Sequence, residues 1–147
     1  QSKYISKNLH IPTETLLAEI KNAKGNQTCH GDLNPNGNIL YDNDKNKFAL
    51  IDFEDAFYGP RQFDQIFFIF NSGKDHWLTL FEEYRLTKLG KQITAADLKD
   101  VMIWFLILKL SKLKKSFFLK YSKFQLRRRI KVIVDFKIMT DKLSKYV

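Results

Sequence analysis

The sequence predicts an α+β fold that is mainly α-helical and contains one small β-hairpin. Apolar residues recur at spacings of three and four over much of residues 94–147, which indicates long amphipathic helices. Two short apolar runs, at 38–41 and 48–53, flank a polar turn, which is the pattern of a hairpin. An apolar fraction of 44% and 13 Phe provide material for a sizeable core, and the length of 147 residues predicts one domain over residues 1–147.

The first elements follow directly from local patterns. A helix is predicted over residues 13–23, with an apolar face made by Leu16, Leu17 and Ile20. Residues 27–30 are predicted to be extended, and the hairpin follows with its turn at 42–47. The turn carries Asp and Asn at the spacing of a calcium loop, but the required Gly and Glu are missing, so we interpret it as an exposed polar turn.

Four further helices complete the prediction. Gly59-Pro60 predicts the start of the next helix, whose buried stripe is Phe63, Ile66, Phe67 and Phe70. A helix over about 76–89 is closed by Gly90, and Thr94 with Asp97 forms a capping-box pattern before a long helix. The stripe of the long helix is Met102, Leu106, Leu110, Leu113, Phe117 and Tyr121. The last helix, over about 124–145, has Ile130, Ile133, Val134, Ile138 and Met139 inward.

The composition and the lengths of the apolar runs indicate the cellular compartment of the protein. Cys29 has no partner for an internal disulfide, and its apolar neighbourhood favours a buried small hydrophobe in a reducing compartment. The polar residues 1–10 do not form a secretory signal, and the longest apolar run, 101–108, is far too short to span a membrane. These observations predict a cytoplasmic protein without a membrane span.

The charge of +9 is unevenly distributed. Residues 1–100 hold 12 Lys or Arg against 14 Asp or Glu, whereas residues 101–147 hold 13 Lys or Arg against two Asp, which gives −2 and +11. Such a split is typical either of an anionic partner or of a solvated helix face, and the solvated face is favoured here.

A cluster of oxygen-bearing side chains marks the candidate site. Asp32, Asn38 and Asp52 are separated by short apolar strand-like runs, so a tight hairpin would bring them to one end. Oxygen ligands of this kind suit Mg²⁺. A His-x-Asp loop followed by an Asn and by a second Asp at a strand end is the layout of kinase-type phosphoryl transfer.

The motifs HGDL at 30–33, GNIL at 37–40 and IDFE at 51–54 resemble the catalytic core of the aminoglycoside phosphotransferase and choline kinase family. The resemblance covers about residues 29–70. It implies the C-terminal lobe of a protein-kinase-like fold, with ATP or another nucleoside triphosphate and Mg²⁺ as cofactors. It further implies that Asp32 is the catalytic base and that Asn38 and Asp52 hold the metal and nucleotide.

Other residues receive roles from the same resemblance. His30 belongs to the catalytic motif, more as a structural member of the loop than as a general base. Asp64 would hydrogen-bond the catalytic-loop backbone, although an exposed acid in the first turn of a helix explains it equally well. Glu54 and Asp55 are weaker candidates for substrate contact.

The loop departs from the family pattern at one position. The pattern places Asn five residues after the Asp, whereas Gly37 occupies that position and Asn38 is the sixth. We interpret this as a one-residue insertion near Asn36. Asn36 is therefore the rival metal ligand.

The parts of a kinase that cover the nucleotide have no counterpart in these residues. No Gly-rich loop and no Val-Ala-Ile-Lys-like strand precedes His30. We therefore expect the chain to represent the C-terminal catalytic lobe, with the N-terminal nucleotide lobe or another partner covering the exposed face. The length of the parent gene product would test this expectation.

Three functions are compatible with the sequence. The first is the catalytic lobe of an ATP-dependent small-molecule phosphotransferase, and the second is a kinase-like binding module without catalysis. The third, disfavoured because no known motif supports it, is a nucleic-acid binder that uses the basic and aromatic residues of 114–131. For an enzyme, the charge of the last two helices predicts a neutral or anionic hydroxyl acceptor, such as a sugar or sugar derivative.

Overall fold

The computed structural model describes residues 12–116 and 123–147. In chain order, the described elements are α1 (Thr13–Asn22), β1 (Gln27–Cys29), β2 (Ile39–Asp42), β3 (Lys47–Leu50), β4 (Phe57–Gly59), α2 (Phe63–Asn71), α3 (Trp77–Leu86), α4 (Ala95–Ser116) and α5 (Lys123–Leu143). Short 3₁₀ turns lie at Lys74–His76, Gly90–Gln92 and Ser144–Tyr146. The predicted α+β class, mainly helical with a small hairpin, is confirmed. None of the helices in the described ranges is long and apolar enough to span a membrane.

Two small antiparallel sheets hold the central loops in place. Strands β2 and β3 form the predicted hairpin, with Leu40 opposite Ala49. Strand β1 pairs with β4, so that Cys29 lies opposite Phe57. The sequence indicated an extended segment at β1 but not its partner, because this pairing joins residues almost thirty positions apart. The polar turn of the hairpin is exposed as expected, and the Asp42 carboxylate accepts hydrogen bonds from the backbone N–H groups of Asp44 and Lys45.

The helices enclose an aromatic core. The rings of Phe105 on α4 and Phe136 on α5 are stacked with their centroids 3.8 Å apart and 5° between their planes. Phe67 and Phe70 of α2 pack against the same pair. The predicted stripe of α2 is thus confirmed, with Phe70 partly buried at its edge. Phe136 was missing from the predicted core although it is fully buried.

Two predicted core residues are exposed instead. The side chains of Leu17 and Ile138 keep 53% and 52% of their surface accessible. In each helix a neighbouring residue takes the inward direction, Leu16 in α1 and Met139 in α5. The stripe positions Leu113, Phe117 and Tyr121 lie outside the described side chains, as do most of the basic and aromatic residues of the nucleic-acid hypothesis.

The capping box before α4 is confirmed. The Thr94 N–H donates to Asp97 Oδ2 at 2.8 Å, and the Asp97 N–H donates to Thr94 Oγ1 at 3.2 Å. These reciprocal bonds satisfy backbone donors that the first turn of a helix leaves unpaired. The cap therefore fixes where the long helix α4 begins, and α4 in turn passes beside the loop that follows β1.

Candidate active site

The candidate site begins where β1 ends. Cys29 is fully buried, and its thiol donates a hydrogen bond to the Pro60 carbonyl oxygen at 3.4 Å. Burial, reinforced by the nearby negative charge of Asp64, raises the pKa of the Cys29 thiol to about 11. The thiol therefore remains protonated at neutral pH, and Cys29 is the buried small hydrophobe that the sequence predicted.

A tight turn follows at Gly31. Its φ of +85° is unfavourable for residues with a side chain, and a Cβ at this position would lie 2.3 Å from the Asp55 carbonyl oxygen. The carboxylate of Asp64, in the first turn of α2, accepts hydrogen bonds from the backbone N–H groups of His30 at 2.8 Å and Gly31 at 3.0 Å. These are the backbone contacts that the resemblance implies for Asp64. They fix the loop immediately before Asp32.

His30 links the loop to the end of the hairpin. Its ring is buried, packs against Phe53 with 4.5 Å between centroids, and places Nε2 2.8 Å from the Ile51 carbonyl oxygen. A carbonyl oxygen only accepts hydrogen bonds, so Nε2 carries the proton. The other nitrogen, Nδ1, accepts from the Asp32 N–H at 3.4 Å. Both ring nitrogens are engaged by backbone groups, which favours a structural role over a general base.

The structure brings Asn38 to Asp32. The Asn38 amide donates to the Asp32 carbonyl oxygen at 2.8 Å and more weakly to Asp32 Oδ2 at 3.4 Å. The Asn38 carboxamide oxygen remains available to a ligand, since no described residue hydrogen-bonds it. The side chain of Asn36, the rival ligand, is exposed in the preceding turn and forms no hydrogen bond within the described ranges.

Asp52 directly follows Ile51, whose backbone is hydrogen-bonded to both Asn38 and His30. The Ile51 N–H donates to the Asn38 carbonyl oxygen at 3.1 Å, and the Ile51 carbonyl accepts from His30. Asp52 itself has a φ of +64°, a left-handed conformation that costs a residue with a side chain about 1–2 kcal/mol. Its carboxylate is exposed and has no hydrogen bond or ion pair to any described residue. Strain of this kind often accompanies a functional position.

The candidate ligands are oxygen donors of the type that Mg²⁺ takes in proteins. Among the described residues, no three His, Cys, Asp or Glu side chains converge as ligands. Mg²⁺ is commonly held by only one or two protein oxygens, together with waters and substrate phosphates. The free carboxamide oxygen of Asn38 and the free carboxylate of Asp52 provide ligands of that type.

Glu54 and Asp55 differ in their surroundings. Glu54 is exposed, and no described residue contacts it through a hydrogen bond or an ion pair. Asp55 forms an ion pair with Lys112 of α4. Lys109, one turn earlier on α4, also faces the loop, and it lines a small cavity together with Gly31 and Asp55. No local sequence motif distinguishes these two lysines.

A cavity much larger than the one beside Gly31 lies elsewhere. It measures about 600 Å³ and is lined by residues of α1, α4 and α5, among them Leu16, Met102 and Ile138. None of the candidate site residues lines it. Volume alone therefore does not locate the chemistry in this chain.

The chain was compared with models of known protein families, with curated proteins and with solved structures. The chain is an α+β protein of the phosphotransferase class. The model of the phosphotransferase enzyme family matches residues 11–96, more than half of the chain, so the chain belongs to this family. This confirms the aminoglycoside phosphotransferase and choline kinase resemblance. Neither the curated proteins nor the solved structures contain a significant match to the chain.

Proposed function

We propose that the chain is the catalytic lobe of an ATP-dependent small-molecule phosphotransferase. The observation that carries the proposal is the contact of Asn38 with Asp32, combined with the hydrogen bonds that join Ile51 to both Asn38 and His30. These bonds join Asp32, Asn38 and the residue before Asp52, while the Asp52 carboxylate itself takes part in none of them. Membership of the phosphotransferase family supports the same reaction class.

Each candidate residue has a separate role in the proposed phosphoryl transfer. Asp32 accepts the proton of the acceptor hydroxyl as the hydroxyl oxygen bonds to the γ-phosphorus and the bond to the departing nucleoside diphosphate breaks. Asn38 and Asp52 hold Mg²⁺, which would neutralise charge on the nucleotide phosphates when bound. His30 and Asp64 position the loop. Catalysis in such a site comes mostly from positioning and charge neutralisation.

Exposed apolar side chains on the hairpin support the proposal that a nucleotide-binding lobe packs against this chain. The hairpin and the segment after it expose large apolar side chains, namely Leu40, Tyr41, Phe48, Leu50, Ile51 and Phe53. By the strand register, Tyr41, Phe48 and Leu50 share one face of the hairpin, whereas Leu40 lies on the other. We take the face with Tyr41, Phe48 and Leu50 as the apolar face, since exposed apolar surface of this kind marks an interaction site. We infer that a nucleotide-binding lobe covers this face, since in the resembled family such a lobe packs against the catalytic one.

Replacing Asp32 tests the proposal. In the full-length gene product, Asp32→Ala should reduce phosphoryl transfer from ATP by about 10²-fold or more, because the hydroxyl proton loses its acceptor. Circular dichroism and the melting temperature should remain those of the parent protein. Asp44→Ala, which removes an exposed acid in the hairpin turn, is the matched control.

Two results would change the assignment. Near-normal turnover of Asp32→Ala would remove Asp32 from the role of base. A parent protein that binds Mg²⁺ and nucleotide but transfers no phosphoryl group would support the alternative of a kinase-like binding module.

A further inference from the structure

The ammonium group of Lys109 occupies an unusual position. It lies 5.5 Å from the ring centroid of Phe67 and 5.0 Å from that of Phe105. No described residue forms a hydrogen bond or an ion pair with it. Burial lowers the pKa of Lys109, Lys112 lowers it further, and the charges of Asp32 and Asp55 oppose that shift. Lys109 is thus a partly desolvated cation close to the proposed base.

Among the described residues, the Lys109 ammonium has aromatic rings beside it and no hydrogen-bond acceptor. Contact with the rings returns about 0.5–2 kcal/mol, and the N–H donors are left to the solvent that still reaches the half-buried side chain. A desolvated charge without hydrogen bonds is unfavourable in a folded protein. An anion that approaches Lys109 would supply the missing acceptors.

Lys109 has a second cation beside it. Lys112 lies one turn further along α4 and pairs with Asp55. Both lysines line a cavity of about 20 Å³ with Gly31 and Asp55, and the remaining lining comes from Phe63, Phe67, Phe105 and Leu108. This volume admits about one water-sized group. Because Gly31 directly precedes Asp32, a group seated in this cavity lies beside the catalytic loop.

We propose that Lys109 and Lys112 form a subsite for an anionic group, a carboxylate or a phosphate, carried by the acceptor molecule. The inference rests on the proposed function, since it takes the acceptor hydroxyl to be the group that meets Asp32. The small cavity receives a single oxygen of the anionic group, while the body of the acceptor stays outside. This narrows the neutral or anionic acceptor predicted from charge to an anionic one.

The nucleotide is the other possible source of an anion. The candidate nucleotide and metal ligands, Asn38 and Asp52, belong to the start and the end of the hairpin region, and no residue of β2 or β3 lines the cavity. The cavity instead opens between the loop, α2 and α4. The matched family region ends at residue 96, so both lysines lie outside it. These placements favour the acceptor over the phosphates of the nucleotide.

A binding experiment without nucleotide tests the subsite. Glucose, glucosamine and glucose 6-phosphate share one ring and differ in charge, and each is titrated into the ¹⁵N-labelled chain while the Gly31 amide signal is followed by NMR. We expect saturable shifts with glucose 6-phosphate and none with glucosamine. Lys109→Met should weaken glucose 6-phosphate binding by about tenfold, a loss of about 1.4 kcal/mol. Lys112→Met should act in the same direction, while Lys99→Met, which removes a lysine from the exposed start of α4, should have no effect.

The outcomes separate the subsite from the proposed reaction. The subsite would be overturned if the Gly31 signal did not respond to glucose 6-phosphate. It would also be overturned if both lysine variants bound glucose 6-phosphate as tightly as the unsubstituted chain, whatever the enzymatic activity of the protein. Reduced ATP binding in Lys109→Met with unchanged glucose 6-phosphate binding would reassign the lysines to the nucleotide. Because no phosphoryl transfer is measured, an inactive Asp32 variant or an inactive parent protein leaves this result interpretable. Thermal melts of the variants exclude unfolding as the cause.

Discussion

Asn38 reaches Asp32 although it lies one position later than the kinase-type pattern places it. The turn before it is compact. The N–H groups of Gly37 and Asn38 both donate to the Asn34 carbonyl oxygen, at 3.3 and 3.2 Å, and the Asn36 N–H donates to Asn34 Oδ1 at 2.9 Å. A one-residue insertion near Asn36, as interpreted from the sequence, would fall within this turn.

This geometry predicts that the two asparagines behave differently. Asn38→Ala should weaken binding of the Mg²⁺–nucleotide complex by about tenfold or more, because a ligand and the hydrogen bond to Asp32 disappear together. Asn36→Ala, its matched control in the same turn, should bind nearly as well as the parent. Calorimetric titration of Mg²⁺–ATP measures both. The reverse ranking would mean that Asn36 is the ligand.

Individual residues also mark how far the sequence could predict the site. Asp32, Asn38 and Asp52 could be proposed from the sequence because each stands in one of the motifs HGDL, GNIL and IDFE. Lys109 is not, because its relation to the loop depends on how α4 crosses α2, and that packing is decided by Phe67 and Phe105 rather than by a local pattern.

At the scale of elements, the helices could be predicted, but not all of their ends. A helix was expected over 76–89, yet α3 ends at Leu86. The Thr87 hydroxyl donates to the Tyr84 carbonyl oxygen at 2.7 Å and accepts from the Gly90 N–H at 3.0 Å, which stops the helix one turn early. Similarly, β3 ends at Leu50 because the left-handed conformation of Asp52 breaks the extended chain.

The exposed face of the hairpin leads to a prediction about one element. Phe48 keeps 72% of its surface accessible, and its ring packs against that of Tyr41 with 4.6 Å between ring centroids. Phe48→Thr should reduce binding of the dye ANS, because it removes the most exposed aromatic ring of the apolar face. The unfolding free energy should change by less than about 1 kcal/mol, since threonine suits a strand and only one cross-strand pair is lost.

An isolated apolar side chain provides the comparison. Leu86, at the end of α3, is 76% exposed but lies outside the hairpin. Leu86→Thr should leave ANS fluorescence nearly unchanged. Equal decreases in the two variants would show that the dye does not recognise a contiguous apolar face, and the inferred cover by a nucleotide-binding lobe would lose its support.

For the whole molecule, the distribution of charge makes a prediction that does not depend on any single lysine. Residues 101–147 carry a net charge of +11, and α4, which holds part of that charge, lies beside the candidate site through the ion pair of Lys112 with Asp55. A potential of this sign repels cationic acceptors such as aminoglycosides and choline and leaves neutral sugars unaffected. We therefore expect the full-length protein to phosphorylate sugars or sugar derivatives in preference to cationic acceptors.

Ionic strength distinguishes this long-range effect from local contacts. The screening length falls from about 30 Å at 0.01 M to about 8 Å at 0.15 M salt, so repulsion from lysines distant from the site weakens strongly over that range. A panel of acceptors should be assayed at both salt concentrations. We expect kcat/KM for a cationic acceptor to rise with salt, while kcat/KM for a neutral sugar stays constant. Efficient turnover of an aminoglycoside or choline at low salt, with sugars inert, would contradict the prediction. It would mean that acids or aromatic rings near the loop, rather than the charge of α4 and α5, select the acceptor.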